Sequence, residues 1–380
     1  MIDDKIDCCG CSACAIICPR KAIEMNFNAE GYYRPNVNLS LCVECGLCEN
    51  VCPVLHPEAR ELGEKSSYVS VAKDRTILEK SSSGGVAYVF AKGALEQGWP
   101  VCGVAYNKES KQAQHIVVDE LSDLYLIQGS KYLQSADYKA FDEIMKLECG
   151  IVFGTPCQIA GLDSVLNLKH KREKFILVDI FCHGVPNQLL WCRHLEYLRD
   201  KNKISSSDDV CFRKGKDFIL TIGNYKAYYN QDAFYTFFLR GWLKNHKCYN
   251  CDYRRSSCAD LRIGDCMADK FNTVKYSPSC IIANTSAGKA FLLSCKNDLE
   301  LYAEQFALID RIQEKYNMRV PDKYYKIIEK LRNGKKPEEL IRYIMVGGRL
   351  KSIVKRSISK ILSNKNNNEL EDFFSNNSSD

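Results

Sequence analysis

The chain has 380 residues, enough for two or three domains, and its 46% hydrophobic and 26% charged residues are typical of a soluble globular protein. Its 21 cysteines are far more than a typical cytosolic protein of this size contains unless they have a function. Its length argues against a disulfide-rich secreted scaffold, because such scaffolds are small. The net charge is +6, yet residues 1–62 hold five Lys or Arg against nine Asp or Glu, so the positive excess lies in the remainder, where it would attract an acidic partner, a phosphate-bearing ligand or a membrane surface.

The N-terminal stretch indicates the cellular compartment of the protein. The first ten residues, MIDDKIDCCG, are acidic and lack the apolar core of a signal peptide, and no stretch of the chain reaches the length of a membrane span. We therefore expect a cytoplasmic protein without a transmembrane segment. In such a reducing compartment, clustered cysteines indicate metal binding or redox chemistry.

Two cysteine runs near the N-terminus share the spacing C-x2-C-x2-C-x3-C followed by proline. This spacing is typical of 4Fe–4S clusters, in which three cysteines of one run and the fourth cysteine of the other hold the same cluster. The two crossed ligand sets are Cys8, Cys11, Cys14 and Cys52, and Cys42, Cys45, Cys48 and Cys18. Cys9 does not fit this register. Zinc is the alternative, but structural zinc sites normally take their ligands in pairs.

The segment between the runs predicts a β-hairpin, because the stretches AIEMNF and YYRPNV flank the turn NAEG. Together with both cysteine runs, residues 1–62 resemble a bacterial two-cluster ferredoxin, whose neighbouring clusters carry single electrons over a short distance. The stretch PEARELGEKSS that follows is polar and has no apolar period, which favours a linker and a domain boundary.

The next part of the chain predicts a strand, a loop and a helix. YVSVAK is a short alternating strand, and after the loop of residues 81–85 Val86, Val89, Phe90 and Leu95 recur at helical spacing. The N-terminus of such a helix favours an anion such as a phosphate group, although a serine-rich loop also serves simply as a cap. VCGVAY is the next predicted strand.

Two buried strands farther along the chain each end in a cysteine-bearing turn. Residues 151–162 predict a strand, a Gly-Thr-Pro turn and a helix that begins at Cys157, and residues 175–186 predict a strand followed by Cys182 in a loop. Turns that follow the carboxyl ends of strands meet at one edge of a sheet, so the two cysteines predict a single site there. The alternative is that each cysteine is a small buried hydrophobe.

Five ordered segments carry a resemblance to a known family. They are SSSGGVAYVFAKGALEQG, QGSKYLQS, FGTPCQIAGL, VDIFCHGVPN and CYNCDYRRSSCADLRIGD. Together they resemble the family of coenzyme F420 hydrogenase and dehydrogenase beta subunits, over roughly residues 1–320. The resemblance implies an iron–sulfur flavoprotein oxidoreductase in which single electrons pass from 4Fe–4S clusters to FAD, and a hydride passes to or from a deazaflavin or another organic substrate.

The resemblance also implies the residues of a flavin site. The flavin contacts fall on Ser82, Ser83, Gly84, Gly85, Ser130, Lys131, Gly154 and Thr155. Lys131 would hold the pyrophosphate or stabilise negative charge on the reduced ring. His183 would either donate a proton near the flavin nitrogens or be a loop residue that hydrogen-bonds to backbone. After Asp265 the family usually has an aromatic residue and a tryptophan, whereas this chain has CMA, which leaves the substrate open.

A third 4Fe–4S cluster is implied beside the flavin. Its ligands would be Cys157, Cys182, Cys248 and Cys251. The alternative is that the C-x2-C pair in KCYNC is half of a zinc ribbon completed by Cys258 and Cys266. Six further cysteines have no recognisable spacing and are interpreted as packing residues: Cys102, Cys149, Cys192, Cys211, Cys280 and Cys295.

The C-terminal end is different in character. Residues 349–362, RLKSIVKRSISKIL, place apolar side chains on one face of a predicted helix and five Lys or Arg on the rest. Such a helix favours docking on its own protein, with peripheral contact to an anionic membrane as the alternative. The polar residues 363–380 are predicted to be disordered.

The sequence therefore predicts a multidomain protein of mixed α+β and α/β class. Its parts are a two-cluster ferredoxin-like domain (1–62), a mixed-sheet flavin-binding domain in two parts (66–150 and 151–320), a helical extension (321–362) and a disordered tail (363–380). We expect a redox partner protein, such as a ferredoxin or a reductase, or a deazaflavin, and no nucleic acid. Two rival functions are an electron-transfer adaptor subunit and a redox protein of surface-polysaccharide biosynthesis that acts on a sugar-linked substrate.

Overall fold

The computed structural model describes residues 7–57, 60–61, 66–215, 217–266, 277–312, 318–341 and 343–344. The strands are β1 Ile23–Phe27, β2 Tyr33–Val37, β3 Arg60–Glu61, β4 Ser66–Ala72, β5 Val101–Asn107, β6 Gln112–Val118, β7 Ser135–Ala136, β8 Gly150–Gly154, β9 Phe175–Ile180, β10 Val210–Cys211, β11 Ile219–Ile222, β12 Tyr225–Tyr228, β13 Ser256–Ser257, β14 Leu261–Asp265, β15 Ser279–Ala283 and β16 Leu299–Ala303. The helices are α1 Ala13–Ile17, α2 Leu47–Asn50, α3 Arg75–Lys80, α4 Val86–Glu96, α5 Leu124–Ile127, α6 Tyr138–Ile144, α7 Pro156–Leu168, α8 Gln188–Asp200, α9 Ala233–Leu239, α10 Ser286–Ser294, α11 Phe306–Ile312 and α12 Tyr324–Arg332.

Nine strands form one mixed sheet in the order β16-β4-β15-β14-β9-β8-β5-β6-β7. The central neighbours β14, β9, β8 and β5 run parallel to one another, whereas β15, β4 and β16 are added in antiparallel fashion on one side and β6 on the other. The mixed sheet predicted from the sequence is therefore present. The carboxyl ends of β8, β9 and β14 lie at the same edge, which brings the loops that follow them together.

The central strands are buried on both faces, which explains why their sequences are almost continuously apolar. Along β9, Ile176 and Val178 point into one core with α4 and α10, and Phe175 and Leu177 point into a second core with α6 and α7. A third cluster is rich in aromatic side chains and joins α8, α9 and α12 around Trp191. Helices thus cover both faces of the sheet.

The N-terminal hairpin predicted between the cysteine runs is confirmed, since β1 and β2 pair antiparallel from Ile23 opposite Val37 to Phe27 opposite Tyr33. Its turn ends at Gly31, which has φ +83°, and a Cβ atom there would lie 2.6 Å from the backbone nitrogen of Leu189. The hairpin tip therefore contacts the start of α8, where only glycine permits this approach.

The N-terminal module also shares a core with the sheet layer. Ala13, Ile16 and Ile17 of α1 pack in the same buried cluster as Ile159 and Leu162 of α7. The nearby Gly161 is required for this contact, because a Cβ atom there would lie 2.7 Å from Cys11 Sγ. The cysteine-rich module is thus fixed directly onto the helix that follows β8.

Several predictions for the chain ends lie outside the described residues. The basic amphipathic helix over 349–362 and the disordered tail over 363–380 are among them, and the proposed linker is described only in part. The division into domains also stays a prediction. Within the described residues, no helix combines the length and the apolar character needed to cross a membrane.

A buried ionic group ties the aromatic cluster to the C-terminal part of the chain. His194 Nε2 lies 3.0 Å from Asp232 Oδ2, and His194 Nδ1 lies 2.7 Å from Glu338 Oε1. Asp232 also caps α9 and accepts a hydrogen bond from the Tyr225 hydroxyl at 3.0 Å. Burial alone would lower the pKa of His194, but the two carboxylates outweigh it and raise the pKa from 6.5 to about 9.

This group is expected to make stability depend on alkaline pH. The folded pKa lies above the unfolded value, so the stabilisation is complete below pH 6.5 and is lost as pH rises through about 9. The loss amounts to roughly 3 kcal/mol for a fully buried group. Thermal melts from pH 6 to 10 should show a falling midpoint in the wild type and a flatter profile in His194→Gln. Parallel profiles for the two proteins would contradict this assignment.

Candidate metal and cofactor site

A cleft with an empty volume of about 670 Å³ lies at the carboxyl edge of β8 and β9. The four cysteines that the family resemblance implied for a third cluster all line it, and Cys9 of the N-terminal module lines it as well. These five residues are Cys9, Cys157, Cys182, Cys248 and Cys251. The two strand-terminal cysteines therefore do meet at one site, as their positions in the sequence predicted.

Cys157 is placed by the turn from β8 into α7. Thr155 forms a capping box with Gln158, in which Thr155 N donates to Gln158 Oε1 at 3.1 Å, and Pro156 occupies the first turn of α7. This combination is a strong helix start, so the strand-to-helix turn is fixed by local sequence. The Thr155 hydroxyl lies 3.4 Å from Cys157 Sγ.

Cys182 and Cys248 come from two loops that a glycine allows to approach. Gly184 has φ +104°, and a Cβ atom there would lie 2.7 Å from Lys244 Cδ and 3.2 Å from Cys248 Cβ. Asn245 N donates to the carbonyl of Val185 at 2.9 Å, which joins the same two loops through their backbones.

A buried ion pair anchors the loop that carries Cys251. Arg262 on β14 donates from Nε to Asp179 Oδ1 at 2.7 Å and from Nη2 to Asp179 Oδ2 at 2.6 Å. The side chains are 1% and 0% exposed, respectively. Arg262 Nη2 also donates to the carbonyl of Ser256 at 2.8 Å, and Ser257 Oγ donates to Asp179 Oδ2 at 2.7 Å. The pair thus fixes the end of the cysteine loop to two strands of the sheet.

The electrostatics of the cleft suit an iron–sulfur cluster. Burial raises the pKa of Cys182 to about 12 and also raises the pKa values of Cys248 and Cys251. Such buried thiols ionise readily only when a bound cation compensates the charge. Three of the four sulfur atoms accept backbone N–H hydrogen bonds, from Gly184, Val185 and Tyr253. Four thiols with backbone donors aimed at sulfur form the donor set that a 4Fe–4S cluster requires.

The cysteines of the two N-terminal runs lie close together. A second cleft, of about 430 Å³, is lined by Cys18, Cys42, Cys45 and Cys48. Cys14 lies near Cys8 of its own run and near Cys48 and Cys52 of the second run, and Cys11 lies near Cys8 and Cys14. Backbone N–H groups again point at sulfur, since Gly10 N lies 3.3 Å from Cys8 Sγ and Ala22 N lies 3.3 Å from Cys18 Sγ.

The zinc-ribbon alternative fits the structure less well. Cys266, its proposed fourth ligand, follows β14 and packs instead against Cys280 of β15, in a buried cluster with Val69 and Ile282. Cys266 is therefore part of the hydrophobic core and does not line the cleft that contains Cys248. Among the residues that the structure describes, no group of three or more Cys, His, Asp or Glu side chains is arranged to hold a single metal ion.

The residues implied for flavin binding fall into two groups. Ser130 N donates to Ser82 Oγ at 2.9 Å, so the loop before α4 and the loop after α5 meet. Thr155, by contrast, lines the cysteine cleft, and Gly154 is the last residue of β8 beside it. Three strands separate β8 from β4, where the first loop packs, and this corresponds to about 19 Å at the usual strand spacing.

The loop of residues 81–85 is held tightly against the sheet edge. Ser83 Oγ lies 3.0 Å from Ser279 Oγ, and Gly84 N donates to Ser279 Oγ at 3.1 Å. A Cβ atom at Gly84 would lie 2.4 Å from the carbonyl oxygen of Ser70. Gly85 has φ +75° and caps α4, an 11-residue helix. This loop therefore presents a helix N-terminus, the kind of backbone site that binds phosphate.

The two residues implied for catalysis are less clearly placed. Burial lowers the pKa of Lys131 to about 7, and its Nζ donates to the carbonyl of Gln128 at 2.8 Å, within its own loop. His183 is exposed in the loop after β9, directly after Cys182. Their roles therefore stay predictions.

Sequence reasoning missed three residues that shape the cleft. Gln134 Nε2 donates to the carbonyl of Cys9 at 3.0 Å, and Gln134 Oε1 accepts from Tyr33 N at 3.2 Å, so this side chain joins the module to the cleft. Tyr253, beside the second C-x2-C cysteine, donates from its hydroxyl to the carbonyl of Pro53 at 2.9 Å. Cys9 is the third of these residues. It is the one that the sequence marked, as an extra cysteine outside the C-x2-C-x2-C-x3-C spacing.

Two family models match the chain. Residues 7–55 match the 4Fe-4S dicluster domain, and residues 148–307 match the C terminus of the coenzyme F420 hydrogenase/dehydrogenase beta subunit. The chain therefore carries the C-terminal domain of the coenzyme F420 hydrogenase/dehydrogenase beta subunits behind a dicluster domain. It is thus an iron–sulfur electron-transfer protein of an oxidoreductase family, with a 4Fe–4S dicluster domain at its N-terminus.

Three known proteins are similar to this chain. One subunit of the F(420)H(2) dehydrogenase of Methanosarcina mazei is 24% identical over 315 residues, which is 77% of this chain and 84% of the relative. An uncharacterized polyferredoxin-like protein of Methanocaldococcus jannaschii is 34% identical over 83 residues, 17% of this chain and 48% of that protein. A chain of the F420-reducing [NiFe] hydrogenase complex from Methanosarcina barkeri has a TM-score of 0.48 at 16% identity, covering 74% of this chain and 93% of that chain.

Proposed function

We propose that this protein is an iron–sulfur flavoenzyme that exchanges single electrons with a partner protein and a hydride with an organic substrate of the deazaflavin class. The observation that carries the proposal is the cleft in which Cys157, Cys182, Cys248 and Cys251 meet directly beside the dicluster module. When bound, 4Fe–4S clusters carry single electrons, and FAD exchanges both single electrons and electron pairs.

The chain's own residues supply the holding sites. The crossed N-terminal sets hold two clusters, the cleft cysteines hold a third, and the loop of residues 81–85 holds the FAD phosphates at the N-terminus of α4. The cleft and the loop of residues 81–85 lie at the edge where β8, β9 and β4 end, and the dicluster module lies beside the cleft. Val54, which lies two residues after the last cysteine of the second run, lines the cleft together with Cys9, so the dicluster module covers the third site.

The outer end of the series lies at the cleft of Cys18, Cys42, Cys45 and Cys48. Cys45 is exposed, and the loop beside it carries Leu39 and Val43 with exposures of 67% and 59%. Exposed apolar side chains around a redox site are suited to transient docking of a small electron carrier. We therefore place the contact with the redox partner at this loop.

The substrate class rests on the family and its relatives. The Methanosarcina mazei relative is named for dehydrogenation of reduced F420, which favours a deazaflavin as the hydride donor or acceptor. An adaptor that only passes single electrons is the rival function, and it differs in needing no flavin. The sugar-linked substrate stays a prediction from the sequence.

The composition and the reaction of the holoprotein test the proposal together. Anaerobically purified protein should contain about twelve irons per chain and release FAD on denaturation. Reduced F420 should bleach the flavin absorbance in a stopped-flow mixing experiment. Protein with clusters but without flavin would support the adaptor instead, and a flavin that responds only to reduced ferredoxin or dithionite would exclude the deazaflavin.

A glycine substitution tests where the flavin binds. Gly84→Ala places a methyl group 2.4 Å from the Ser70 carbonyl, so the loop must move and flavin content should fall by at least about tenfold while iron content stays unchanged. Gly334→Ala is the control, because Gly334 also resists a side chain, with φ +85°, but has no neighbouring atom within 4 Å. Full flavin content in Gly84→Ala would place the cofactor elsewhere.

A further inference from the structure

Cys9 belongs to no predicted cluster, yet it lies between two of the candidate cluster sites. Its side chain is 9% exposed, shares a buried cluster with Cys11, and lines the same cleft as Cys157, which packs against that cluster. Cys11 belongs to the first N-terminal set, and Cys157 belongs to the cleft of the third set. Cys9 therefore packs beside one member of each set.

The backbone around Cys9 is fixed on both sides. Gln134 Nε2 donates to the Cys9 carbonyl at 3.0 Å. The next residue, Gly10, has φ +76°, and a Cβ atom there would lie 2.4 Å from Gln134 Nε2 and 2.7 Å from the Tyr33 carbonyl. Arg34 donates from Nη1 to the carbonyl of Cys8, the preceding residue. Cys9 thus has a defined position between the two sites, unlike a cysteine on a loose loop.

The chemistry of these three cysteines determines which of them keeps its thiol proton. Cys11 and Cys157 are thiolates when they bind iron, because iron ligation removes the thiol proton. Cys9, which binds no iron in this arrangement, keeps its S–H group and is the donor in its contacts. A hydrogen bond to a cluster thiolate stabilises the more negative, reduced form of that cluster, and such bonds are among the factors that set cluster potentials.

We propose that Cys9 is a positioning residue that bridges two cluster sites, as an uncoordinated thiol that donates a hydrogen bond to the Cys11 ligand and packs against the Cys157 ligand. This inference rests on the proposed function, because it requires the third cluster. With clusters bound at both sites, Cys9 would keep its S–H bond and would be neither oxidised nor reduced. Its role is to fill the gap between the clusters and to raise the potential of the one that Cys11 holds.

The test compares Cys9→Ala and Cys9→Ser holoproteins purified without oxygen, with Cys102→Ala as the control. Cys102 is also buried, at 0% exposure, in the same core cluster but lies on β5 and does not line the cleft. Iron per chain and EPR-monitored redox titrations are the readouts. Cys9→Ala should keep about twelve irons and lower the midpoint potential of one N-terminal cluster. Cys9→Ser should return that potential towards the wild-type value because a hydroxyl also donates, and Cys102→Ala should leave it unchanged.

Three outcomes would contradict the proposed role of Cys9 between the two cluster sites. Loss of about four irons in Cys9→Ala would make Cys9 a ligand. Full iron with unchanged potentials would show that its hydrogen bond has no effect on either cluster. Equal shifts in Cys9→Ala and Cys9→Ser would indicate a packing effect alone. The proposed function is judged separately on the wild type, where about eight irons in place of twelve would remove the third cluster and the bridge with it.

Discussion

Replacing Cys157 with serine is expected to remove about four irons per chain and to leave about eight. Cys157 lies in the first turn of α7 and lines the cleft with Cys182, Cys248 and Cys251, whereas the crossed N-terminal sets do not include it. The loss should therefore be confined to one cluster. The three remaining thiols leave one iron of the cluster without a sulfur ligand. The serine oxygen does not replace it well, because oxygen is a harder ligand than the sulfur that iron–sulfur clusters prefer.

The kinetic consequence is as specific as the iron content. In Cys157→Ser, reduced F420 should still bleach the flavin, while the N-terminal clusters stay oxidised, because the site between them has been emptied. Cys192→Ser on α8 is a suitable control, since Cys192 lies outside the cleft and should retain about twelve irons. Rapid reduction of the N-terminal clusters by reduced F420 in Cys157→Ser would show that electrons take a different route.

Replacing Arg262 with alanine is expected to destabilise the folded protein by about 3–5 kcal/mol. Removal of the guanidinium leaves the Asp179 carboxylate buried without its cation, and a buried unpaired charge is strongly unfavourable. The same change removes the hydrogen bond to the Ser256 carbonyl at 2.8 Å, which holds the end of the Cys251 loop. We therefore expect loss of the third cluster in whatever protein still folds, even though Arg262 binds no iron itself.

Chemical denaturation of the anaerobic protein measures the first effect, and iron analysis of the folded fraction measures the second. Lys174→Ala is the matched control, because Lys174 forms an exposed pair with Glu148 at 3.0 Å and such pairs contribute about 0–1 kcal/mol. A destabilisation below about 1 kcal/mol in Arg262→Ala would mean that Asp179 finds another partner or becomes neutral. The double substitution Arg262→Met with Asp179→Leu should recover part of the loss, since it removes both charges.

Local pattern was sufficient for the pieces of the fold that surround the site. The hairpin between the cysteine runs, the strand of residues 150–154 with its capped helix and the strand of residues 175–180 with its cysteine loop all lie where the sequence predicts them. Each depends on residues close in the chain, such as the capping box of Thr155 and Gln158. The mixed sheet follows from the almost continuously apolar runs between these turns.

The candidate site was predicted only where spacing or family resemblance reached it. The residues indicated that Cys157 and Cys182 share a sheet edge, and the resemblance implied Cys248 and Cys251 beside them. The structure adds Cys9 to the same cleft. The residues implied for the flavin are divided between that cleft and the loop of residues 81–85. Resemblance cannot separate them, because a motif gives the order of residues along the chain and not the number of strands between them.

The sequence by itself determined the cluster chemistry, since the repeated C-x2-C-x2-C-x3-C-P spacing brings thiols together within a single turn of chain. Only the tertiary structure decided which distant groups meet: Arg262 pairs with Asp179, 83 residues away, and Cys9 lines the same cleft as Cys157. The physical reason is that such pairs depend on strand order and on the docking of the N-terminal module, which are set by burial of surfaces across the whole chain. A local pattern predicts the conformation of one helix or strand but does not predict which other element packs against it.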